Sequence, residues 1–184
     1  MKRIKKDWKA YCKTSFKALK GNIENWGKLE FYRPITRIYY ISVFDCGLSN
    51  FTGLISENAL NNKLNGKKVV YDHCLSPQFI GRMIMDNSDK YLSDYSIFES
   101  IFWDSCQTVM VTQEENITLS SLTENNGIDY KVFVPTNEKY NYLGINLYFR
   151  PQKNGRWSET VPLDTNIIET PIDLLEYEKT FLVL

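Results

Sequence analysis

Two short runs decide how this chain folds: KKVVYDH at residues 67–73 and TVMVTQEEN at residues 108–116. Each holds consecutive β-branched or apolar residues, which is typical of a short strand. The first run ends in an acid beside an imidazole, Asp72 and His73, and the second leads into a segment that carries Asn116. If the two strands pair, these three side chains converge. His73 is the only histidine of the chain, so this is where we expect an active site.

The residues around the two runs predict helices. Ser76-Pro77 is a typical helix start, with a hydroxyl at the cap and a proline at the first helical position. A second helix is expected to begin near Ser93 or Asp94, so that two helices are inserted between the strands. After the second strand, Thr112 and Glu115 have the spacing of a capping box. This box places Asn116 in the first turn of a third helix.

The rest of the chain predicts a mixed α+β protein. Apolar residues recur at helical spacing over 4–20, which predicts an amphipathic helix. Residues 38–43 are β-branched or aromatic and predict a strand, whereas 54–66 predict a short helix. Alternating apolar residues in 128–134 and 143–149 predict a C-terminal β-hairpin, with a turn at 136–139 between them. A terminal helix is expected over 171–181.

Charge is balanced overall and uneven along the chain. The 184 residues include 22 Lys and Arg against 22 Asp and Glu, yet residues 1–37 are strongly basic. Such a segment suits the phosphates of a nucleic acid, and a solvated helix face explains it about equally well. A second positive cluster surrounds the Asn154-Gly155 turn. The candidate DNA contacts are Lys5, Lys6, Lys9, Lys13, Lys17, Arg150, Lys153 and Arg156.

The cysteines and the hydropathy pattern limit the classes of protein to which the chain can belong. Four cysteines lie far apart and form no C-x-x-C pair, so we expect neither a structural zinc site nor a disulfide framework. Cys74, beside His73, is interpreted as a small buried apolar residue. The basic N-terminus lacks the apolar core of a signal peptide, and no apolar run approaches the length that spans a membrane. We expect a cytoplasmic protein with reduced thiols and no membrane partner.

On these residues the chain resembles the HNH, or His-Me finger, nucleases. Asp72-His73 followed by the run from Thr108 to Asn116 looks like the active-site motif of phage homing endonucleases that share the motif of the type-seven junction-resolving endonuclease. The resemblance covers residues 67–122. It implies a ββα-metal core in which Asp72 and Asn116 bind Mg²⁺ or Mn²⁺ and His73 is the general base. Asp104 and Gln107 lie near the place of the middle HNH residue, and neither is assigned.

The resemblance implies a metal-dependent DNA endonuclease, of a phage and of the homing type, that acts on double-stranded DNA in the bacterial host cell. Residues 67–122 would be the catalytic core. Residues 1–66 would contact DNA, and 123–184 would contact DNA or a second copy in a homodimer. A junction resolvase with the same site is an alternative. A non-catalytic nucleic-acid-binding protein on the same scaffold is another.

Each candidate residue also has a plain structural explanation. A lone histidine is more often hydrogen-bonded in the fold than catalytic, although its place beside Asp72 favours a site here. Asn116 alone would be an ordinary residue of a helix surface. Trp26 and Trp157 lie among polar residues, where contact with a nucleic acid is an alternative to packing in the core. His73 is what separates an enzyme from a binding protein, since binding needs no general base.

Overall fold

The computed structural model describes residues 7–47, 50–123, 137–151 and 155–163. They form an α+β fold, as the sequence predicts, in which helices pack against a mixed sheet of five strands. No helix in these ranges is long and apolar enough to cross a membrane. The predicted strand at 128–134, the predicted helix at 171–181, and Lys5, Lys6 and Lys153 lie outside the described residues.

The described residues up to Leu64 form helices and one strand. Helix α1 (Trp8–Lys20) begins at Asp7, whose carboxylate accepts a hydrogen bond from the backbone N–H of Ala10 at 3.2 Å. A short 3₁₀ turn (Ile23–Asn25) leads to helix α2 (Leu29–Gly47). Strand β1 (Phe51–Ser56) is the next element, and helix α3 (Glu57–Leu64) follows it directly. Helix α1 confirms the predicted amphipathic helix over its described part.

The prediction of a strand over 38–43 is wrong, because these residues belong to α2. Ile35, Tyr39, Val43 and Cys46 are all buried, and their spacing places them on one side of a helix. The Tyr39 hydroxyl lies 2.7 Å from the Ser105 Oγ inside the core. Burial of one side of α2 therefore outweighs the local β propensity of residues 38–43. The predicted helix over 54–66 also needs correction, since its first residues belong to β1.

The middle of the chain follows the prediction closely. Strand β2 (Val70–His73) is followed by helix α4 (Pro77–Asp86), the short helix α5 (Ser88–Tyr91) and helix α6 (Tyr95–Ser105). Strand β3 (Thr108–Val111) then precedes helix α7 (Gln113–Thr123). Strands β2 and β3 are antiparallel, with Asp72 opposite Val109 and His73 opposite Thr108. A strand pair followed by a helix, with helices inserted, is thus present.

The C-terminal part differs from the predicted hairpin. Helix α8 (Glu138–Tyr142) occupies the predicted turn, and strand β4 (Leu147–Phe149) lies within the predicted second strand. Strand β4 pairs antiparallel with β1 on one side and with β5 (Val161–Pro162) on the other. A 3₁₀ turn (Trp157–Glu159) precedes β5. The strand order is β2-β3-β1-β4-β5, and β1 and β3 are parallel.

The two faces of the sheet carry different cores. Val109, Val111 and Leu54 face the large core that the helices build with Tyr39, Phe98 and Ile80. A smaller cluster on the other face consists of buried Ile55, Ala59, Leu60 and Met110, with Phe51, Val69, Tyr148 and Trp157 packed around it. Because strand residues alternate between faces, Tyr71 and His73 share the face of the smaller cluster. Asp72 points to the opposite face.

The capping box at the start of α7 also ties two elements together. The Thr112 N–H donates to Glu115 Oε2 at 2.8 Å, and the Glu115 N–H donates to Thr112 Oγ1 at 3.1 Å. The same carboxylate accepts hydrogen bonds from Ser56 Oγ at 2.6 Å and from Asn58 Nδ2 at 3.0 Å. Glu115 therefore joins the start of α7 to the junction of β1 and α3.

We predict that Glu115→Ala lowers the free energy of unfolding by about 1–3 kcal/mol, because it removes a helix cap and leaves Ser56 without its acceptor. The matched control is Glu114→Ala, one residue earlier on the exposed side of α7, for which we expect a change within about 0.5 kcal/mol. Urea unfolding followed by circular dichroism measures both. Equal losses in the two variants would contradict the bridging role of Glu115.

Candidate active site around Asp72 and His73

Asp72 is buried, and its carboxylate contacts Lys139 and Tyr140 through one oxygen, Oδ2. Its Oδ2 lies 2.7 Å from the Lys139 Nζ and accepts a hydrogen bond of 2.6 Å from the Tyr140 hydroxyl. Lys139 and Tyr140 are themselves only 2% exposed. The Lys139 ammonium also donates to the backbone carbonyl of His73 at 2.6 Å. These contacts fix α8 against the end of β2 through a charge pair shielded from water.

His73 points away from this charge pair. Its ring lies against Phe44, with the ring centroids 5.8 Å apart, and its Nε2 faces Gly47 at the end of α2. A Cβ on Gly47 would come within 2.5 Å of that nitrogen, so the close approach of helix and imidazole requires glycine. His73 Nε2 is buried and has no hydrogen-bond partner among the described residues. Burial lowers the pKa of His73, which keeps the imidazole neutral at neutral pH.

Asn116 lies in the first turn of α7, where the sequence predicts it, and its side chain is half-buried. Its N–H donates to the Thr112 carbonyl at 3.0 Å. Helix α7 packs against β2, which brings the two predicted metal-binding elements into contact. Within the described ranges, no hydrogen bond joins the Asn116 amide to Asp72 or His73. The structure thus gathers the elements, while Asp72 and His73 face opposite sides of one strand.

The donor chemistry of Asp72 can be tested against a divalent ion. Oδ2 is taken by Lys139 and Tyr140, and Oδ1 has no hydrogen bond to the described residues. A carboxylate that binds a metal through one oxygen is usually hydrogen-bonded through the other. Asp72 Oδ1 and the Asn116 amide oxygen are hard donors of the type that Mg²⁺ prefers. Their donor chemistry suits the ion, whereas the Lys139 charge lowers the affinity expected of a lone carboxylate.

The other polar candidates are spread over the molecule. The described residues contain no group of three His, Cys, Asp or Glu side chains placed to hold a metal. Cys74 is buried as predicted, and burial raises the pKa of its thiol to about 12. The pKa of Asp104 is raised by burial, and Gln107 accepts the Cys74 N–H through its carbonyl at 2.9 Å. Neither contributes to the surroundings of Asp72.

The predicted DNA contacts fall into two sets. Lys9, Lys13 and Lys17 are exposed at four-residue spacing and make one positive line along α1. Arg150 is half-buried, with its guanidinium 4.1 Å above the Trp157 ring, whereas Arg156 is exposed. The Trp26 indole N–H donates to Asp86 at 2.8 Å, and its ring packs against the large core.

Sequence reasoning missed the partners of Asp72. Lys139 ends the predicted turn at 136–139, where a lysine is expected to be solvated, and Tyr140 follows that turn directly. The sequence contains no local sign of their burial, because the contact spans 66 to 68 positions of the chain. The role of Gly47 was also missed, although a glycine at the end of a helix is a recognised stop signal.

We predict that Lys139→Met lowers the free energy of unfolding by about 3–5 kcal/mol, because it leaves the buried Asp72 carboxylate without its counter-ion. The control is Lys13→Met on the exposed line of α1, for which about 0.5 kcal/mol or less is expected. The double variant Asp72→Asn/Lys139→Met should recover part of the loss. Urea unfolding measures all three, and a double variant less stable than Lys139→Met would exclude a charge-pairing role.

We predict that the protein loses stability as the pH falls from about 7 to 5. Unfolded histidine titrates near about 6.5, whereas burial lowers the pKa of native His73. Below about 6.5 the unfolded chain binds a proton that the folded chain does not, so the free energy of unfolding falls. Since His73 is the only histidine, His73→Gln should flatten this slope. Urea midpoints measured across the range test it; an unchanged slope in His73→Gln contradicts it.

Comparison with protein-family models, curated proteins and solved structures finds no match for this chain. The resemblance to the HNH nucleases therefore remains a prediction that rests on residues 67–122. The roles of Asp72 and Asn116 as metal ligands and of His73 as general base are predictions of the same standing. What supports them is the order of elements around β2, β3 and α7.

Proposed function

We propose that this chain is a divalent-metal-dependent DNA endonuclease built on the unit β2–β3–α7. One observation carries the proposal: β2 ends in Asp72 and His73, pairs antiparallel with β3, and is packed by the helix that follows β3 directly. Asn116 lies in the first turn of that helix. This order of paired strands and helix, with an acid, an imidazole and an amide at the same places, is what the HNH resemblance implies.

In this proposal Asp72 Oδ1 and the Asn116 amide oxygen hold the metal ion. The bound ion would offset the negative charge that develops on the scissile phosphate and its leaving oxygen. Lys139 and Tyr140 hold the Asp72 carboxylate in place through Oδ2. A neutral imidazole with a lowered pKa can accept a proton from water, so the protonation state of His73 suits a base. The exposed lysines of α1 suit contact with DNA phosphates.

The placement of His73 favours a second candidate, a nucleic-acid-binding protein that does not cut. The imidazole and the Asp72 carboxylate face opposite sides of β2, and His73 Nε2 lies against Gly47 rather than in an open cleft. Asp72 is paired with a buried lysine, which is the usual environment of a structural carboxylate. Both residues would then serve to dock α8 and α2 on the sheet.

Cleavage of supercoiled plasmid with Mg²⁺, Mn²⁺ or EDTA separates the two candidates. We expect metal-dependent cutting by the wild type, lost by at least about 100-fold in Asn116→Ala and in His73→Gln. Asn116 is the primary variant because it is half-buried on a helix surface, so the fold should tolerate alanine. Thr118→Ala, exposed on the same helix, is the matched control and should cut normally.

Three results would overturn or redirect the proposal. DNA binding without cutting under every metal condition supports the non-catalytic protein instead. Cutting that survives both Asn116→Ala and His73→Gln moves the active site away from β2 and α7. Absence of both binding and cutting removes both candidates. Circular dichroism of each variant shows whether a loss of cutting reflects a loss of fold.

A further inference from the structure

Aromatic rings extend from α2 past the end of β2 to β1, and the rings on the strands lie on the sheet face opposite the Asp72 carboxylate. We define the aromatic strip as Tyr40, Phe44, His73, Tyr71 and Phe51. Tyr40 stacks on Phe44 with centroids 5.8 Å apart, and Phe44 lies 5.8 Å from His73. Phe51 contacts Tyr71 edge-to-face at 5.7 Å. His73 and Tyr71 are two residues apart on β2 and so share one face, which joins the two halves of the strip.

Two rings of the strip are open to solvent. Phe44 is 53% exposed and Tyr71 is 37% exposed, whereas Tyr40 and Phe51 are half-buried beside them. His73, a member of the strip, is half-buried, and Met110, opposite Tyr71 on β3, is buried. The buried members hold the open rings at fixed positions. Rigid aromatic faces that remain exposed are the form of surface on which nucleic-acid bases stack.

Positive charge borders the strip at several places. Arg37 is exposed on α2, two turns before Phe44, and Lys67 and Lys68 are exposed just before β2.

A further aromatic ring with two cations lies next to Phe51, outside the strip. Trp157 lies 6.4 Å from Phe51, the Arg150 guanidinium lies 4.1 Å above the Trp157 ring, and Lys63 Nζ lies 5.7 Å from it.

Fewer acidic groups lie along the same surface. Asp45 is half-buried on α2, Glu159 ends the 3₁₀ turn after Trp157, and Glu57 begins α3. The Glu57 carboxylate accepts a hydrogen bond from Asn146, and Glu159 accepts one from the Arg156 N–H. The cations at the border outnumber these acids, so the surface is complementary to a polyanion.

We propose that the aromatic strip binds single-stranded nucleic acid. Bases stack on Phe44 and Tyr71, and the backbone phosphates contact the bordering lysines and arginines. An exposed apolar face without charge would suit a protein partner better, whereas aromatic rings bordered by cations match the requirements of an unpaired strand. The strip lies on the other face of β2 from Asp72. The strip shares His73 with the proposed cleavage site, but stacking on Phe44 and Tyr71 needs no metal and so does not depend on cleavage.

The test is fluorescence anisotropy of a labelled oligothymidylate of about 15 nucleotides, a length within the usual site sizes of such surfaces. All samples contain EDTA, so that no metal-dependent cutting occurs. We expect wild-type binding, weakened about 5- to 100-fold by Phe44→Ala and by Tyr71→Ala, the range that loss of one stacked base gives. Tyr142→Ala is the matched control, because Tyr142 is a tyrosine 55% exposed on α8. It should bind within about twofold of wild type.

A charge variant adds an independent readout. The double change Lys67→Gln/Lys68→Gln should weaken binding and make it less dependent on salt, because fewer counterions are released from the strand. Lys90→Gln on α5, an exposed lysine that is neither a candidate DNA contact nor a neighbour of the strip, is the control for loss of charge elsewhere, and it should leave binding of the oligothymidylate nearly unchanged. All variants change exposed side chains, and circular dichroism confirms their fold.

Several results would overturn the proposal. These are no binding of the oligothymidylate, binding that Phe44→Ala and Tyr71→Ala leave within twofold of wild type, or equal loss in Tyr142→Ala. Analytical ultracentrifugation covers the remaining alternative. A dimer that Phe44→Ala converts to a monomer, without loss of nucleic-acid binding, assigns the strip to a second copy of the chain. EDTA prevents metal-dependent cutting. Each of these binding results can therefore be interpreted even if the endonuclease proposal fails.

Discussion

The buried charge pair of Asp72 and Lys139 joins the end of β2 to helix α8. Lys139 reaches Asp72 Oδ2 and the His73 carbonyl from a helix that lies far along the chain, and Tyr140 donates to the same carboxylate oxygen. A buried pair of this kind adds little net stability, but loss of either partner is costly. It therefore specifies which arrangement of α8 and β2 the chain adopts. The same contacts decide which oxygen of Asp72 is left for other chemistry.

Neighbouring residues of strand β2 point to opposite faces of the sheet. Asp72 belongs to the side of α7 and α8, whereas His73 and Tyr71 belong to the side of Phe44 and Phe51. Metal binding by Asp72 and base stacking by the strip are accordingly proposed on different faces of one short strand, and His73 belongs to both proposals. An adjacent acid and imidazole in sequence do not make an adjacent acid and imidazole in space unless the strand ends or bends between them.

Local signals predicted the middle of the chain well. Pro77, the capping box of Thr112 and Glu115, and the β-branched run at β3 each depend on residues a few positions apart, and the structure confirms all three elements. The error at residues 38–43 has a physical cause. β-branched and aromatic side chains favour strands only weakly, and here Ile35, Tyr39, Val43 and Cys46 gain more by burial on one side of a helix.

The missed parts of the candidate site are long-range. Nothing near Lys139 in sequence distinguishes it from the surface lysines of α1, and its burial follows only from where Asp72 lies after folding. Strand β1 was missed for a different reason, since Asn50 and Gly53 are turn residues. Gly53 has a φ of +90° and lies against the Phe149 ring in the strand, beside the irregular register between Phe51 and Ile55. A bulge in a strand is often formed at a glycine. From the sequence alone, the same glycine predicts a turn between two elements.

The position of β1 in the sheet affects the order in which the protein can fold. It is the first strand in the chain and the central one in the sheet, and its neighbours β3 and β4 come from residues 108–111 and 147–149. As the chain leaves the ribosome, α1 and α2 can meet early, while β1 has no partner until more than 50 further residues have emerged. Long-range strand pairing of this kind slows folding. An unpaired β1, which contains the apolar Phe51, Leu54 and Ile55, is then the segment that chaperones or aggregation would meet first.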